Sequence, residues 1–233
     1  MAQSVKGARG RPLPKPKPTN ALDVFINCPF DAGYKPFFHA IIWVVIRSGY
    51  RARCAQEVDD GAQNRLGKIM DIIAESRFGV HDLSNTNVDG DPPLPRFNMP
   101  LELGLWFGAH RFGGVPQADK RCIILDRERF RYQRFISDIA GQDPHSHEGK
   151  IDNLVAELTA WLRHLPGGER PGGGKQMLQE YQQFRALLPG MCAEAKLTVE
   201  ELTFDDFVIF ASGYIAQLRE APATADEAML VTA

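Results

Sequence analysis

The chain has 233 residues, 44% of them apolar and 24% charged, the balance of an ordinary globular protein. That length suits one α/β domain with added helices and is short for two full domains. With 27 basic against 29 acidic residues the net charge is -2, so no broad basic field speaks for nucleic-acid binding.

Residues 1–20 are rich in Pro, Lys, Arg and Gly, and Lys6, Arg9, Arg11, Lys15 and Lys17 stand there without an acid. Such a segment buries too little apolar area to offset its ordering entropy and is expected to be a disordered or polyproline-like arm. Order is expected from Leu22. The apolar run Asp23 to Asn27 predicts a buried first strand, bounded by the turn-like Pro29 to Gly33. Residues 35–48 form an apolar-rich helix that Gly49 ends.

Arg51 to Ala55 is a second strand, followed by the acidic loop Glu57 to Gly61. A helix over about 64–76 carries Leu66, Ile69, Met70, Ile72 and Ile73 at helical spacing, which marks them as its buried face. Phe78 to Ser84 is a third strand that runs into a loop dense in Asn, Asp, Gly and Pro, from Asn85 to Arg96. A helix over about 99–109 and a continuous apolar strand, Cys122 to Leu125, follow.

Short linkers in a βαβαβαβ order imply parallel strands and right-handed crossovers. The expected fold is a flavodoxin-like α/β domain over residues 21–145, a parallel sheet with helices on both faces. Ligands bind such sheets beyond the carboxyl ends of the strands, here residues 27–34, 55–61, 82–98 and 126–138. Residues 146–220 read as a helical extension, with helices near 148–164, 175–188 and 203–219 and a Gly/Pro hinge at 166–174; residues 221–233 read as a flexible tail.

The four cysteines, Cys28, Cys54, Cys122 and Cys192, form no CxxC pair and match no zinc module, so buried reduced thiols are expected. The N-terminus lacks the apolar core of a secretory signal, and the most apolar run, Phe37 to Ile46, falls short of the ~20 residues that span a bilayer. The expectation is a soluble, cytoplasmic protein without a membrane segment. No Gly-rich nucleotide-binding loop opens a helix after a strand, which speaks against a Rossmann dehydrogenase or a P-loop enzyme.

Glu102 stands among Leu, Met, Trp and Phe, so it must be exposed, paired or functional. Its place in the first helical turn gives it a helix-start role, because the macrodipole favours a carboxylate there. The same place projects it toward the expected ligand crevice, on the face where Asp82 and Ser84 end the third strand. Asn98 starts the helix as an N-cap residue. Phe30 and Tyr34 flank the first crevice loop, either as groups that stack on a base or, the more common fate of such residues, as core or rim packing. Arg96 reads equally as a fork for phosphate and as a surface arginine. His145 and His147 have no cysteine nearby and read as loop residues without metal. The run from Arg127 to Phe135 mixes arginines with aromatics, and Phe130, Arg134 and Asp138 give it the spacing of a two-sided helix.

Asn98 to Gly108 resembles the NVxxELGxxxG motif of TIR-like (Toll/interleukin-receptor-like) nucleotide-binding proteins. Asp82-Leu83-Ser84 resembles the DLS that precedes the ELG motif in nucleoside deoxyribosyltransferases. Val24 to Asp31 is similar to the VFIS-loop-D start of TIR domains, and Ser137 to Gly141 looks like the SDxxG that follows the fourth strand in the TIR-like group. The four matches keep the family's order over residues 22–141 and leave the C-terminal helices uncovered.

The resemblance implies chemistry at a ribosyl C1′. It puts Glu102 at the N-glycosidic bond. Asp82 reads either as its helper or as a strand-end acid that holds loop amides, and Asn27, Phe30, Asp31, Tyr34, Ser84, Arg96 and Asn98 form the candidate substrate-binding set. A fixed carboxylate suits the oxocarbenium-like charge that develops when that bond breaks. NAD is the implied substrate, with no further cofactor and no metal. Pro95-Arg96-Phe97-Asn98 replaces the deoxyribosyltransferase DSGT, which weighs against base exchange. A binding module without turnover and a nucleoside N-glycosidase stand as the alternatives. By family analogy the resemblance also implies self-association, a nucleotide or protein activator and a role in anti-phage defence.

Overall fold

The computed structural model describes residues 19–57, 61–62, 64–85, 88–89, 94–95 and 97–220. The arm at 1–18, Asp59 and Asp60 of the acidic loop, Arg96 and the tail at 221–233 lie outside the described residues. The chain runs β1 (Asn20–Asn27), α1 (Lys35–Arg47), β2 (Arg51–Cys54), α2 (Arg65–Glu75), β3 (Ser76–Asp82), then a hairpin of β4 (Val88–Asp89) and β5 (Leu94–Pro95). It continues as α3 (Asn98–Phe112), β6 (Arg121–Asp126), β7 (His145–Ser146), α4 (Ile151–Arg163), α5 (Gly174–Glu194) and α6 (Phe204–Glu220).

Five strands form one all-parallel sheet in the order β2-β1-β3-β6-β7. With the hairpin set aside this is the flavodoxin-like doubly wound order, and the winding reverses between β1 and β3. The fold is therefore α/β and flavodoxin-like, with helices on both faces and a C-terminal helical addition.

The period of two along each strand decides which face every residue serves. Val24 and Ile26 of β1, with Phe78 and Val80 of β3, join the core shared with α1 and α4. Phe25 turns the other way, into a core with Ile69, Ile72 and Ile73 of α2 and Trp106 of α3. Gly79 belongs to that second face. A side chain there would come within 3.1 Å of the Trp106 ring, so glycine lets α3 lie close on the sheet.

Phe38 to Val45 of α1 are all buried, a helix apolar on every side but for His39 and covered all round. The sheet and α4 take one part of its surface; α5 and α6 take the rest. Trp43 stacks on Phe184 of α5 at 4.7 Å, and His39 on Phe207 of α6 at 4.0 Å. Gly49, at φ 77°, ends α1 in the left-handed region that glycine enters without cost. The division drawn at 145/146 falls inside β7, and α4 supplies Leu154, Val155, Leu158 and Leu162 to the same core as Val24.

Several elements differ from the expectation. Leu66 and Met70 are 44% and 46% exposed, so Ile69, Ile72 and Ile73 alone make the buried stripe of α2. The segment around 130–138 is not a two-sided α-helix. It folds as two short 3-10 turns, Arg131–Arg134 and Ser137–Ile139, after Phe130 adopts φ 61°. Helix α5 runs past Pro189 to Glu194, with its buried stripe continuing to Leu188 and Cys192. His145 and Ser146, expected in a loop, pair with Leu125 and Asp126 as the edge strand. Among the described residues no helix is long and apolar enough to cross a membrane.

Candidate functional site

The strands end at a shared edge, and two clefts open there on opposite sides of the β1–α1 loop. The first, about 310 Å³, is lined by Asn27 to Asp31, Arg65, Asn98, Met99 and Glu102. The second, about 230 Å³, is lined by Asp31, Gly33, Tyr34, Phe37, Ser84, Asn85, Arg127, His147 and Gly149. Asp31 faces both.

Glu102 walls the first cleft. Helix α3 starts at Asn98, with Phe97 in the capping place and no side-chain cap, so Glu102 lies beyond the first turn and Asn98 is not the N-cap. Leu103 and Trp106 pin one side of the helix into the apolar core, which leaves Glu102 at the cleft with only 7% of its surface exposed. Burial pushes its carboxyl up to about 7, and the Arg65 guanidinium draws it part of the way back. Among the described residues no hydrogen bond contributes to that balance. A buried carboxylate in a cleft wall, with a single guanidinium near it, is suited to meet a developing positive charge.

Asn27 fixes this helix to the sheet. Its amide donates to the Met99 carbonyl at 2.9 Å and to His81 Nδ1 at 3.0 Å. Both amide hydrogens are thus spent inside the protein, and any contact from Asn27 to a ligand would fall to its carbonyl oxygen. Asn98 is exposed on the cleft rim, and Phe30 packs edge-on against Phe38 at 5.2 Å while lining the cleft. Burial and the nearby Asp82 charge raise the Cys28 thiol well above its ordinary value, so it stays a thiol rather than a nucleophile.

Asp82 and Ser84 serve the other side. Alternation carries Val80 and Asp82 to the α1 face and His81 to the α3 face, so the sheet separates Asp82 from Glu102. Asp82 is fully buried and accepts from Tyr34 Oη, from the Ser84 hydroxyl, and from the Ser84 amide at 2.8 Å. His147 Nε2 lies 3.2 Å from Asp82 Oδ2 and 2.8 Å from Ser84 Oγ. Burial opposes the Asp82 charge, but the His147, Ser84 and Tyr34 contacts outweigh it and hold its pKa below the ordinary value.

This group contains a serine, a histidine and an aspartate, yet its geometry is not a relay. His147 Nδ1 accepts the Gly149 amide at 3.1 Å, so the ring hydrogen sits on Nε2. That hydrogen points at Asp82 and Ser84 together, and the Ser84 hydroxyl gives its own hydrogen to Asp82. His147 has no lone pair with which to take the serine proton. The cluster is a brace that joins the ends of β3 and β7 to the start of α1.

Asp31 links the two sides. Its carboxylate accepts the Tyr34 amide at 3.1 Å and the Asn85 side-chain amide at 2.6 Å, which bars the crevice between the β1 and β3 loops. Reasoning from sequence missed Arg65, Asn85 and His147. Arg65 follows the carboxyl end of β2 at the start of α2, a position on the ligand edge that could have marked it. His147 had no such signal, because its strand is two residues long. Among the described residues no three His, Cys, Asp or Glu side chains gather as a metal site. Comparison with models of known families and with curated proteins finds no match.

Proposed function

We propose that the chain is a TIR-like N-glycosidase that cleaves the nicotinamide–ribose bond of NAD, with Glu102 as the carboxylate beside C1′. The observation that carries this reading is the buried Glu102 carboxyl in the first cleft, raised to about 7 and, among the described residues, without a hydrogen bond of its own. As the glycosidic bond lengthens, positive charge grows on the ribose. A fixed anion in a water-poor wall stabilises it or traps it covalently.

The braced state of Asp82 supports nicotinamide as the leaving group. A departing purine or pyrimidine wants a proton from a second acid. Asp82 is locked on the far side of the sheet, and Asp31 already accepts from Tyr34 and Asn85. Nicotinamide leaves its pyridinium glycoside as a neutral molecule and needs no such donor. The test is nicotinamide release from NAD by the purified protein and by Glu102→Ala. Release by the parent and none by the variant is expected. No release by the parent at high protein concentration would count against the enzyme.

A further inference from the structure

We infer that the cavity between α1 and the start of α6 binds a small neutral molecule of the phenol class, one aromatic ring that carries a hydroxyl. The inference stands apart from the activity proposed for Glu102, and it gives the C-terminal helices a part beyond packing.

The cavity lies where the helical addition meets the α/β body, and its volume is about 170 Å³. An apolar cavity of about 150 Å³ is enough for a benzene ring. Four phenylalanines wall it, Phe30 and Phe38 from the body and Phe204 and Phe207 from α6. Phe30 meets Phe38 edge-on at 5.2 Å, and Phe38 stacks on Phe204 at 6.1 Å. A flat ring has aromatic partners on several sides there, in the edge-on and offset arrangements such rings prefer.

His39 supplies the polar contact. It is only 9% exposed, and one face of its ring lies on Phe207 at 4.0 Å. Among the described residues no hydrogen bond reaches either ring nitrogen, although the residue lines the cavity. A buried polar group left in that state is an open place for a ligand atom. Burial, with the Lys35 and Arg185 charges, lowers its pKa to about 4. The imidazole is therefore neutral and offers one N–H and one lone pair. A hydroxyl both gives and takes a hydrogen bond, so it pairs with either tautomer.

The same lining disfavours an anion. Lys35 borders the cavity, but its ammonium donates to the carbonyls of Glu200 at 2.7 Å, Val199 at 3.3 Å and Leu202 at 3.4 Å. Those three bonds use its three hydrogens. A carboxylate would give up its hydration for the His39 N–H and the exposed Gln56 amide alone. Phe30 also lines the first cleft, so an occupant packs against a wall of the Glu102 site without entering it.

The test titrates phenol and benzoate into the full chain by calorimetry. Phenol is expected to bind one to one with a Kd of about 1 mM or tighter, and benzoate about tenfold more weakly or not at all. Glu102→Gln should bind phenol as the parent does. His39→Phe, which keeps a ring on Phe207 and removes both nitrogens, should weaken phenol about tenfold. No binding of phenol at millimolar concentration, benzoate bound as tightly, loss of phenol in Glu102→Gln or unchanged binding in His39→Phe would each overturn the inference. Melting curves show whether each variant folds. Should His39→Phe not fold, Leu202→Phe, which adds volume at the cavity wall, is expected to abolish phenol binding, and binding kept there would overturn the inference.

Discussion

Asn27 at the end of β1 donates its side-chain amide to the Met99 carbonyl at 2.9 Å, and this bond sets where the first turn of α3 lies against the sheet. Glu102 is one turn further along. Asn27→Ala would leave the Met99 carbonyl and His81 Nδ1 without their donor in a buried place, at a cost of about 1–3 kcal/mol. For a chain of this size each kcal/mol shifts the melting temperature by roughly 2–4 °C. Thermal melting followed by circular dichroism should show that fall, together with a lower kcat; an unchanged melting temperature would show that the bond does not hold the helix.

The Asp82, Ser84 and His147 cluster should behave as a brace. Ser84→Ala removes one of several bonds to Asp82, so it should cost about 1 kcal/mol and leave catalysis within roughly threefold. A serine nucleophile in a relay would lose on the order of 10⁴-fold or more. Labelling with a fluorophosphonate probe gives an independent reading: no label at Ser84 is expected, and stoichiometric label would contradict the hydrogen-bond geometry.

Glu102 should make stability depend on pH in a stated direction. Its folded pKa of about 7 stands above the ordinary 4.5, so the fold holds a proton that the open chain releases. Stability contributed here is intact below pH 4.5, falls as the pH climbs, and levels above about 7. The loss is at most on the order of 3 kcal/mol. Glu102→Gln carries no such proton. Its melting temperature relative to the parent should rise between pH 5 and pH 7.5, values chosen about the two pKa limits. A constant difference would deny the raised pKa.

Gly104 and Gly108 lie inside α3 on its outer side, where an added Cβ at either position meets nothing within 4 Å. Nothing in the described fold requires glycine there, and each costs about 0.5–1 kcal/mol against alanine within a helix. Gly104→Ala and Gly108→Ala should therefore raise the melting temperature. The neighbouring Leu101 is 54% exposed. A fall in melting temperature accompanied by loss of a dimer in sedimentation would contradict the prediction and identify this helix face as a contact between copies.

Much of the fold was legible because period and punctuation agree. Alternation in β1 and β3, the apolar run of β6 and the glycine after α1 each mark their element locally. What escaped was decided by tertiary packing. Leu66 and Met70 have the spacing of a buried face, but α3 and the sheet cover only the isoleucine stripe. The segment after β6 has helical spacing but begins with Phe130 in a left-handed turn, and β7 is too short to carry a pattern. For the site, Glu102 was legible as an acid in an apolar helix. Its separation from Asp82 was implicit in the alternation of β3, since Val80 shares a face with Asp82 while α3 covers the face of His81.

The most direct test of the central claim is the rate of nicotinamide release from NAD against pH, for the parent and for Glu102→Gln. If the Glu102 carboxylate is what stabilises the ribosyl cation, the parent's rate rises with pH, passes half its plateau near 7 and then stays level, while the Gln variant shows no release. A parent rate that is flat through that range, or release that survives in Glu102→Gln, would contradict the account.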